Sequence, residues 1–371
     1  MNKKLRTMAL LLVITMLVAV FAGCSQQAAT ESTTPASTST SGTSASSAAS
    51  AADDKSDVIA PDWAGATLTL GTLNPENNPD SMGAQWFADQ LYEKTDGRLK
   101  INVYSGSQLG NQTAEIESLV MGTQDIFIGG LEPFASIATE LRTLNVFFLF
   151  ESQDQFQKFF QSEWWDAAQA KLSDNNIVCI NQSMNWVKGP FRIILSSKEI
   201  DGSLAAMKGM KIRIPDQETF QKSFEALGMV PVVVALNETY LALQQGLVEA
   251  VDLIPASIKS NGFQEVTKYI LKTDAFPQRE GVMMSKKALE SLPEEIQQLI
   301  YETANEAGDY YSQLVMDTSD SVLKEVQDMG IVYIDDADLS EWYDACKDLG
   351  YQFEDSGYLP EGITDAIKAM K

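Results

Sequence analysis

The chain has 371 residues, 44% of them hydrophobic, and a formal charge of −24 from 27 basic and 51 acidic side chains. So acidic a molecule repels nucleic acid and anionic bilayers, which excludes both as partners. An anionic solute must then be drawn in by local positive groups and not by net charge. Histidine is absent, which removes His-based acid–base chemistry, Ser-His-Asp triads and most zinc sites, and no cofactor or metal is expected.

Lys3, Lys4 and Arg6 form a positive start, and Met8 to Val20 is an apolar run too short for a comfortable membrane span. Phe21, Ala22, Gly23 and Cys24 close it as a lipobox. Residues 1–23 therefore read as a lipoprotein signal peptide, with Cys24 as the lipidated residue. Residues 24–56 hold Ser, Thr, Ala and Gln with hardly a larger hydrophobe, too little apolar surface to offset the entropy of ordering, and are expected to be a disordered linker. The expected location is the extracytoplasmic face of the cell membrane, reached by a lipid anchor. Residues 57–371 exceed a comfortable single core, so two lobes are expected.

Ala66 to Thr72 alternates as a strand, Ser81 to Thr95 has helical spacing of Trp86, Phe87, Leu91 and Tyr92, and Arg98 to Tyr104 is a second strand. Thr113 to Met121 reads as a helix and Thr123 to Gly130 as a third strand. This β-α-β-α-β order predicts an α/β fold with helices on both faces of a sheet. Further on, Gln153 to Leu172 reads as a helix, and Ile177 to Gln182, Phe191 to Ser196 and Gly209 to Ile214 as strands. Glu218 to Leu227 is a helix, Val230 to Val234 a strand, Asn237 to Gln245 a helix capped by Asn237, and Ala250 to Leu253 a strand. Ser291, Leu292, Pro293 and Glu294 form a capping-box pattern. With no proline before Pro360 and a stop at Gly330, a helix of about 36 residues is expected, bent near Gly308. Ile331 to Ile334 and Leu339 to Leu349 add a strand and a closing helix. Cys179 reads as a small buried hydrophobe, Cys346 falls on a C-terminal helix, and a disulfide between them is left open.

Two arginines stand beside β-like segments: Arg192 after Trp186, Gly189 and Pro190, and Arg213 in Lys208-Gly209-Met210-Lys211-Ile212-Arg213-Ile214-Pro215. A planar guanidinium fork can hold a carboxylate with two parallel hydrogen bonds, so an anion site is the natural reading. Ala226-Leu227-Gly228, Glu238 to Gly246 and Val248 to Asp252 follow. With Gly97 to Ile101, Gln108 to Gly110, Gly122 to Ile126, Leu144 to Phe150 and Leu292 to Glu295, these segments resemble the solute-binding proteins of TRAP transporters, of the C4-dicarboxylate-binding or DctP type. The resemblance covers roughly residues 66–330. It implies a two-lobed periplasmic-binding-protein-like fold of type II kind, with a long helix spanning both lobes. Lobe I would hold about 57–188 plus part of 279–371, and lobe II about 189–278 plus part of the C-terminal helices.

The resemblance also implies roles. Arg213 would form a two-point salt bridge with a ligand carboxylate, and Arg192 would hold the same carboxylate or another polar group. Where many relatives have a ligand-touching Asn, this chain runs Ala250 to Pro255, so that polar contact is lost, replaced by Asp252 or by apolar Leu253. From position alone, Trp186 and Asn185 lie on the crossover into the second lobe, where Trp186 covers a ligand face or joins the core. Gly129 and Gly130 end a strand where a ligand can approach bare backbone. Asn74 and Glu76 lie on the first β-α loop. Tyr240 packs the cleft floor or touches ligand, and Phe276 and Arg279 are further candidates. The implied function is an extracytoplasmic receptor. It closes on a small organic acid, with a lean toward a less polar monocarboxylate, and delivers it to TRAP permease subunits in the membrane. The alternatives are a receptor of another two-lobed transport or sensory system, and a hydrolase using paired carboxylates, for which no motif singles out a pair. No catalysis is expected.

Overall fold

The computed structural model describes residues 62–370. The lipobox Cys24, the signal segment 1–23 and the linker 24–56 lie outside them. The chain opens with β1 (Ala66–Thr72), α1 (Pro79–Lys94), β2 (Leu99–Tyr104), α2 (Gln112–Met121) and β3 (Ile126–Gly130). Two 3-10 turns lead to α3 (Gln153–Phe159), α4 (Glu163–Asp174) and β4 (Ile177–Cys179). Lobe II follows as β5 (Ile193–Ser196), α5 (Leu204–Met207), β6 (Lys211–Ile214), α6 (Glu218–Ala226), β7 (Val230–Val233), α7 (Thr239–Gln244), β8 (Ala250–Leu253), α8 (Ser257–Ser260) and β9 (Tyr269–Lys272). The chain then returns as β10 (Glu280–Ser285), α9 (Lys286–Glu290), α10 (Glu294–Asp328), β11 (Val332–Ile334), α11 (Ser340–Cys346), α12 (Leu349–Asp355) and α13 (Ile363–Ala369).

Each lobe is built on one sheet. The first runs β2-β1-β3-β10-β4, with β1, β2 and β3 parallel and β10 antiparallel to both neighbours. The second runs β11-β9-β5-β8-β6-β7. Parallel pairing forces each connection over a face of the sheet, which leaves the carboxyl ends of β1 and β3 at the same end of the first sheet and those of β6 and β8 at the same end of the second, the ends at which α/β sheets bind ligands. Local signals hold the leading helices in place. Asn78 caps α1 by accepting from the Asp80 N–H at 3.0 Å, with Pro79 at the first helical position. Asn111 caps α2, and Gly122 stops it in the left-handed region at φ 69°.

The lobes are joined by two crossovers that pair with each other. Val187 bridges Arg279, the Lys188 N–H donates to the Gln278 carbonyl at 3.1 Å, and the Glu280 N–H donates to the Trp186 carbonyl at 2.9 Å. The third connection is α10. Its buried Ile296, Ile300, Ala304, Ala307, Tyr311 and Val315 belong to the lobe I core, and Val322, Leu323 and Val326 to that of lobe II. The long bridging helix expected from the sequence is therefore present.

Several local expectations are corrected. Ser291 does not cap α10. Its hydroxyl donates to the Ala288 carbonyl at the end of α9, and Pro293 takes the capping position without a side-chain bond. The helix passes Gly308 without a break. Glycine is needed there for space, since a Cβ would run into Asn185 Oδ1 and lie 2.6 Å from Trp186 Cδ1. The helix expected over Gln153 to Leu172 is two helices, with Ser162 at the start of the second. Asn237 caps nothing, because a short 3-10 turn precedes α7. Cys179 and Cys346 are both buried and free, so they do not pair.

Candidate functional site

A cavity of about 120 Å3 lies between the lobes. Lobe I gives it Leu73 and Asn74 after β1, Asp80 at the start of α1, Gly129 and Gly130 at the end of β3, and Glu132 just beyond it. Lobe II gives Arg192 before β5, Arg213 in β6 and Asp252 in β8, and the crossovers give Lys188 and Gln278. An adjoining chamber shares Arg213, Leu73 and Leu236 with it, and runs out between the start of α2 and residues 233–237.

Arg213 is 9% exposed. Its Nε donates to the Val234 carbonyl at 2.8 Å, which fixes the plane of the fork. Among the described residues it has no ion pair and no other hydrogen bond. Burial draws its pKa down to about 10. Asp252 opposes that shift, and Arg192 adds to it by repulsion. Arg192 is held more fully. It pairs with Asp252, donates from Nη1 to Gln278 Oε1 at 2.8 Å, and lies over the Phe276 ring at 5.0 Å. Asp252 thus stands beside both guanidinium groups. Burial raises its pKa, while Arg192 and then Arg213 draw it back.

The opposite wall is acidic. Lys188 pairs with Glu280 and, at 3.3 Å, with Asp80. Burial alone would lower its pKa, but these two carboxylates outweigh burial and raise it. Asp80 also accepts from the Tyr311 hydroxyl at 3.0 Å and from Asn74 Nδ2 at 2.7 Å. Glu280 is pushed up to about 7 by burial, with Lys188 opposing. Glu132 accepts from Gln278 Nε2 at 3.1 Å. No group of His, Cys, Asp and Glu among the described residues could hold a metal ion.

Of the residues expected from sequence, Arg213, Arg192, Asp252, Asn74, Gly129 and Gly130 meet at this cavity. Six others do not line it. Trp186 is fully buried, donates from Nε1 to the Ala304 carbonyl at 2.7 Å, and stacks on Tyr311 at 4.9 Å, so it belongs to the core. Asn185 is held by α10, donating to the Asn305 carbonyl and to Asp309 Oδ1, each at 2.7 Å. Glu76 opens onto a separate surface groove with Trp86 and Tyr310. Tyr240 donates to Glu265 Oε2 at 2.8 Å in lobe II. Phe276 supports Arg192 from beneath, and Arg279 turns away to the Met184 carbonyl and Gln153 Oε1. Sequence reasoning missed Asp80, Glu132, Lys188, Gln278 and Glu280. The available signal was that Lys188 and the Gln278 to Glu280 stretch flank the two crossovers.

The geometry is that of a small-solute receptor, with a fixed unpaired cation in an interlobe cleft. The sequence pattern of the DctP family, bacterial extracellular solute-binding protein family 7, matches residues 70–355. The chain belongs to that family. Among curated relatives, the 2,3-diketo-L-gulonate-binding periplasmic protein YiaO of Escherichia coli is 27% identical, over 83% of this chain and 92% of that one. Protein y4mM of Sinorhizobium fredii is 30% identical over 76% of this chain, which spans about half (51%) of its length. Among solved structures, a TRAP periplasmic solute-binding protein from Ochrobacterium anthropi with bound L-fuconate superposes with a TM-score of 0.76. It is 26% identical, over 83% of this chain and 99% of that one. The family expectation therefore stands, while a C4-dicarboxylate cargo does not follow from it, because this relative holds a sugar acid. The YiaO protein and the relative from Ochrobacterium anthropi are both described as binding proteins, in keeping with the expectation of a non-enzyme. No helix among the described residues is long and apolar enough to cross a membrane.

Proposed function

We propose that the protein is the extracytoplasmic receptor of a TRAP-type transporter, and that it closes its lobes on a small organic acid and hands that acid to membrane permease subunits. The observation that carries this reading is Arg213, a buried guanidinium facing a cavity with no anion of its own. A ligand carboxylate is the partner it lacks. Arg192 joins on the second side, positioned by Asp252 and Gln278. Asn74 and the bare backbone of Gly130 meet the remainder of the ligand. Polar side chains from both lobes, Asn74, Gln112, Gln217 and Ser257 among them, line the cavity beside the arginines, and the relative from Ochrobacterium anthropi binds L-fuconate. Both favour a hydroxylated sugar acid over the less polar monocarboxylate that the sequence leaned toward. Residues 1–56 supply the proposed anchor, with the lipid on Cys24.

A thermal-shift screen of organic acids on ligand-stripped protein tests the cargo. An acid at roughly 100 times its dissociation constant adds about 2.7 kcal/mol of stability. A shift that disappears in Arg213→Met supports the reading, and a folded protein that answers to no acid refutes it. Mass spectrometry of the N-terminal peptide from membranes tests the anchor, which is refuted by an unlipidated Cys24.

A further inference from the structure

The cavity has two unlike ends. At the lobe II end, Arg192 and Arg213 stand around a single carboxylate, Asp252, leaving one positive charge over. At the lobe I end, Lys188 is matched by Asp80 and Glu280, and Glu132 stands beside them without any cation paired to it among the described residues. Glu132 is 6% exposed, yet its side chain lines the cavity. Its orientation is imposed from lobe II. Arg192 claims Gln278 Oε1, so the Gln278 amide turns its NH2 toward Glu132 Oε1. The other carboxyl oxygen, Oε2, occupies the space over Gly130, where a Cβ would run into it. Glycine at 130 is thus the condition for a carboxyl group at the cavity wall, and the strand end owes its bare backbone to Glu132 as well as to ligand access.

We propose that Glu132 is the specificity-determining residue of the cleft: it accepts a hydrogen bond from a hydroxyl at the ligand end remote from the carboxylate, and it excludes acids that carry a second carboxylate there. This rests on the carboxylate-receptor reading above. A second carboxylate against Glu132 and Asp80 would place like charges together in a desolvated space, so a proton would have to be taken up for both to remain. A hydroxyl donor meets the same oxygen with a charge-assisted hydrogen bond.

The test measures binding of L-fuconate, D-galacturonate and succinate to the purified protein and to Glu132→Gln, which keeps the shape and gives up the charge. Wild type is expected to take at least one of the two hydroxylated acids and to hold succinate far more weakly. In Glu132→Gln the hydroxylated acid should lose about ten- to a hundredfold, while succinate gains. Loss of both by the same factor would mark a structural role and overturn the proposal, and so would wild type holding succinate as tightly as the hydroxylated acid. That wild-type comparison decides the question even if the variant does not fold. If none of the three acids binds while the wider screen finds another acid, only this proposal falls. If no acid in the screen binds, the receptor reading falls and takes this proposal with it.

Discussion

Replacing Arg213 by methionine should separate binding from stability. Burial holds the Arg213 guanidinium at a pKa of about 10 against an ordinary 12.5, a difference worth about 3 kcal/mol between its charged and neutral forms. The empty protein therefore carries this cation at a cost. Methionine fills a similar volume, removes the charge, and removes the repulsion from Arg192. It also loses the bond from Nε to the Val234 carbonyl, whose loss, with the carbonyl left without that donor, costs about 1–3 kcal/mol. The balance leaves ligand-free stability equal or higher by about 1 kcal/mol, a rise of about 2 °C in Tm for a chain of this size. Binding moves the other way. Loss of a desolvated charge partner should weaken the ligand by about 2–5 kcal/mol. Differential scanning fluorimetry without and with ligand reads both. A variant that melts well below wild type yet keeps its full ligand response would show Arg213 to be structural, and the argument would be refuted.

Three other substitutions test different parts of the molecule. Asp252→Asn keeps an acceptor for Arg192 but removes the charge that pairs with Arg192 and acts on Arg213 from a distance, so titration calorimetry should find a carboxylate bound about tenfold tighter; equal or weaker binding contradicts that competition. Glu115 is fully buried beneath β1, with Oε1 unpartnered, and burial raises its pKa to about 7 against the hydrogen bond from Gln124. Between about 4.5 and 7 the folded protein keeps a proton that the unfolded chain releases, so this residue's contribution to stability falls as pH rises through that window, by about 3 kcal/mol at most. Urea titrations of Glu115→Gln should show its advantage over wild type growing from pH 5 to pH 8, and parallel curves would contradict the assignment. Gly308→Ala should cost about 2 kcal/mol in the same titrations despite better helix propensity, because the new Cβ enters the space of Asn185 and Trp186; a gain in stability would mean that this contact yields freely.

Much of this architecture is legible in the chain. Alternation and helical spacing locate β1, α1, β2, α2 and β3 to within a few residues, because each has a local cap or turn: Asn78, Gly97, Asn111 and Gly122 act within a few positions of themselves. Arg192, Arg213 and Asp252 are legible for a different reason, since charged residues inside apolar strands need a partner or a purpose. Trp186 and Asn185 mislead because a polar-tipped aromatic and an amide on a crossover look the same whether they face a ligand or a neighbouring helix. Only the arrival of Ala304, Asn305 and Asp309 from a helix more than a hundred positions away decides it. Lys188, Gln278 and Glu132 escape notice for the same reason. Their roles arise where two distant crossovers lie side by side, and no local pattern records that pairing.

The placement of β10 governs how the chain can be built. This strand lies inside the first sheet, between β3 and β4, yet it follows every strand of the second sheet except β11 in sequence. As the polypeptide emerges from its amino end, β1 to β3 can associate at once. The neighbour that β3 and β4 both require arrives only after residue 279. Five of the six strands of the second sheet must therefore be threaded out, and are free to associate, while lobe I waits with an open seam. A chain truncated before Glu280 would keep every arginine of the cleft and still lack the strand that closes the lobe opposite them.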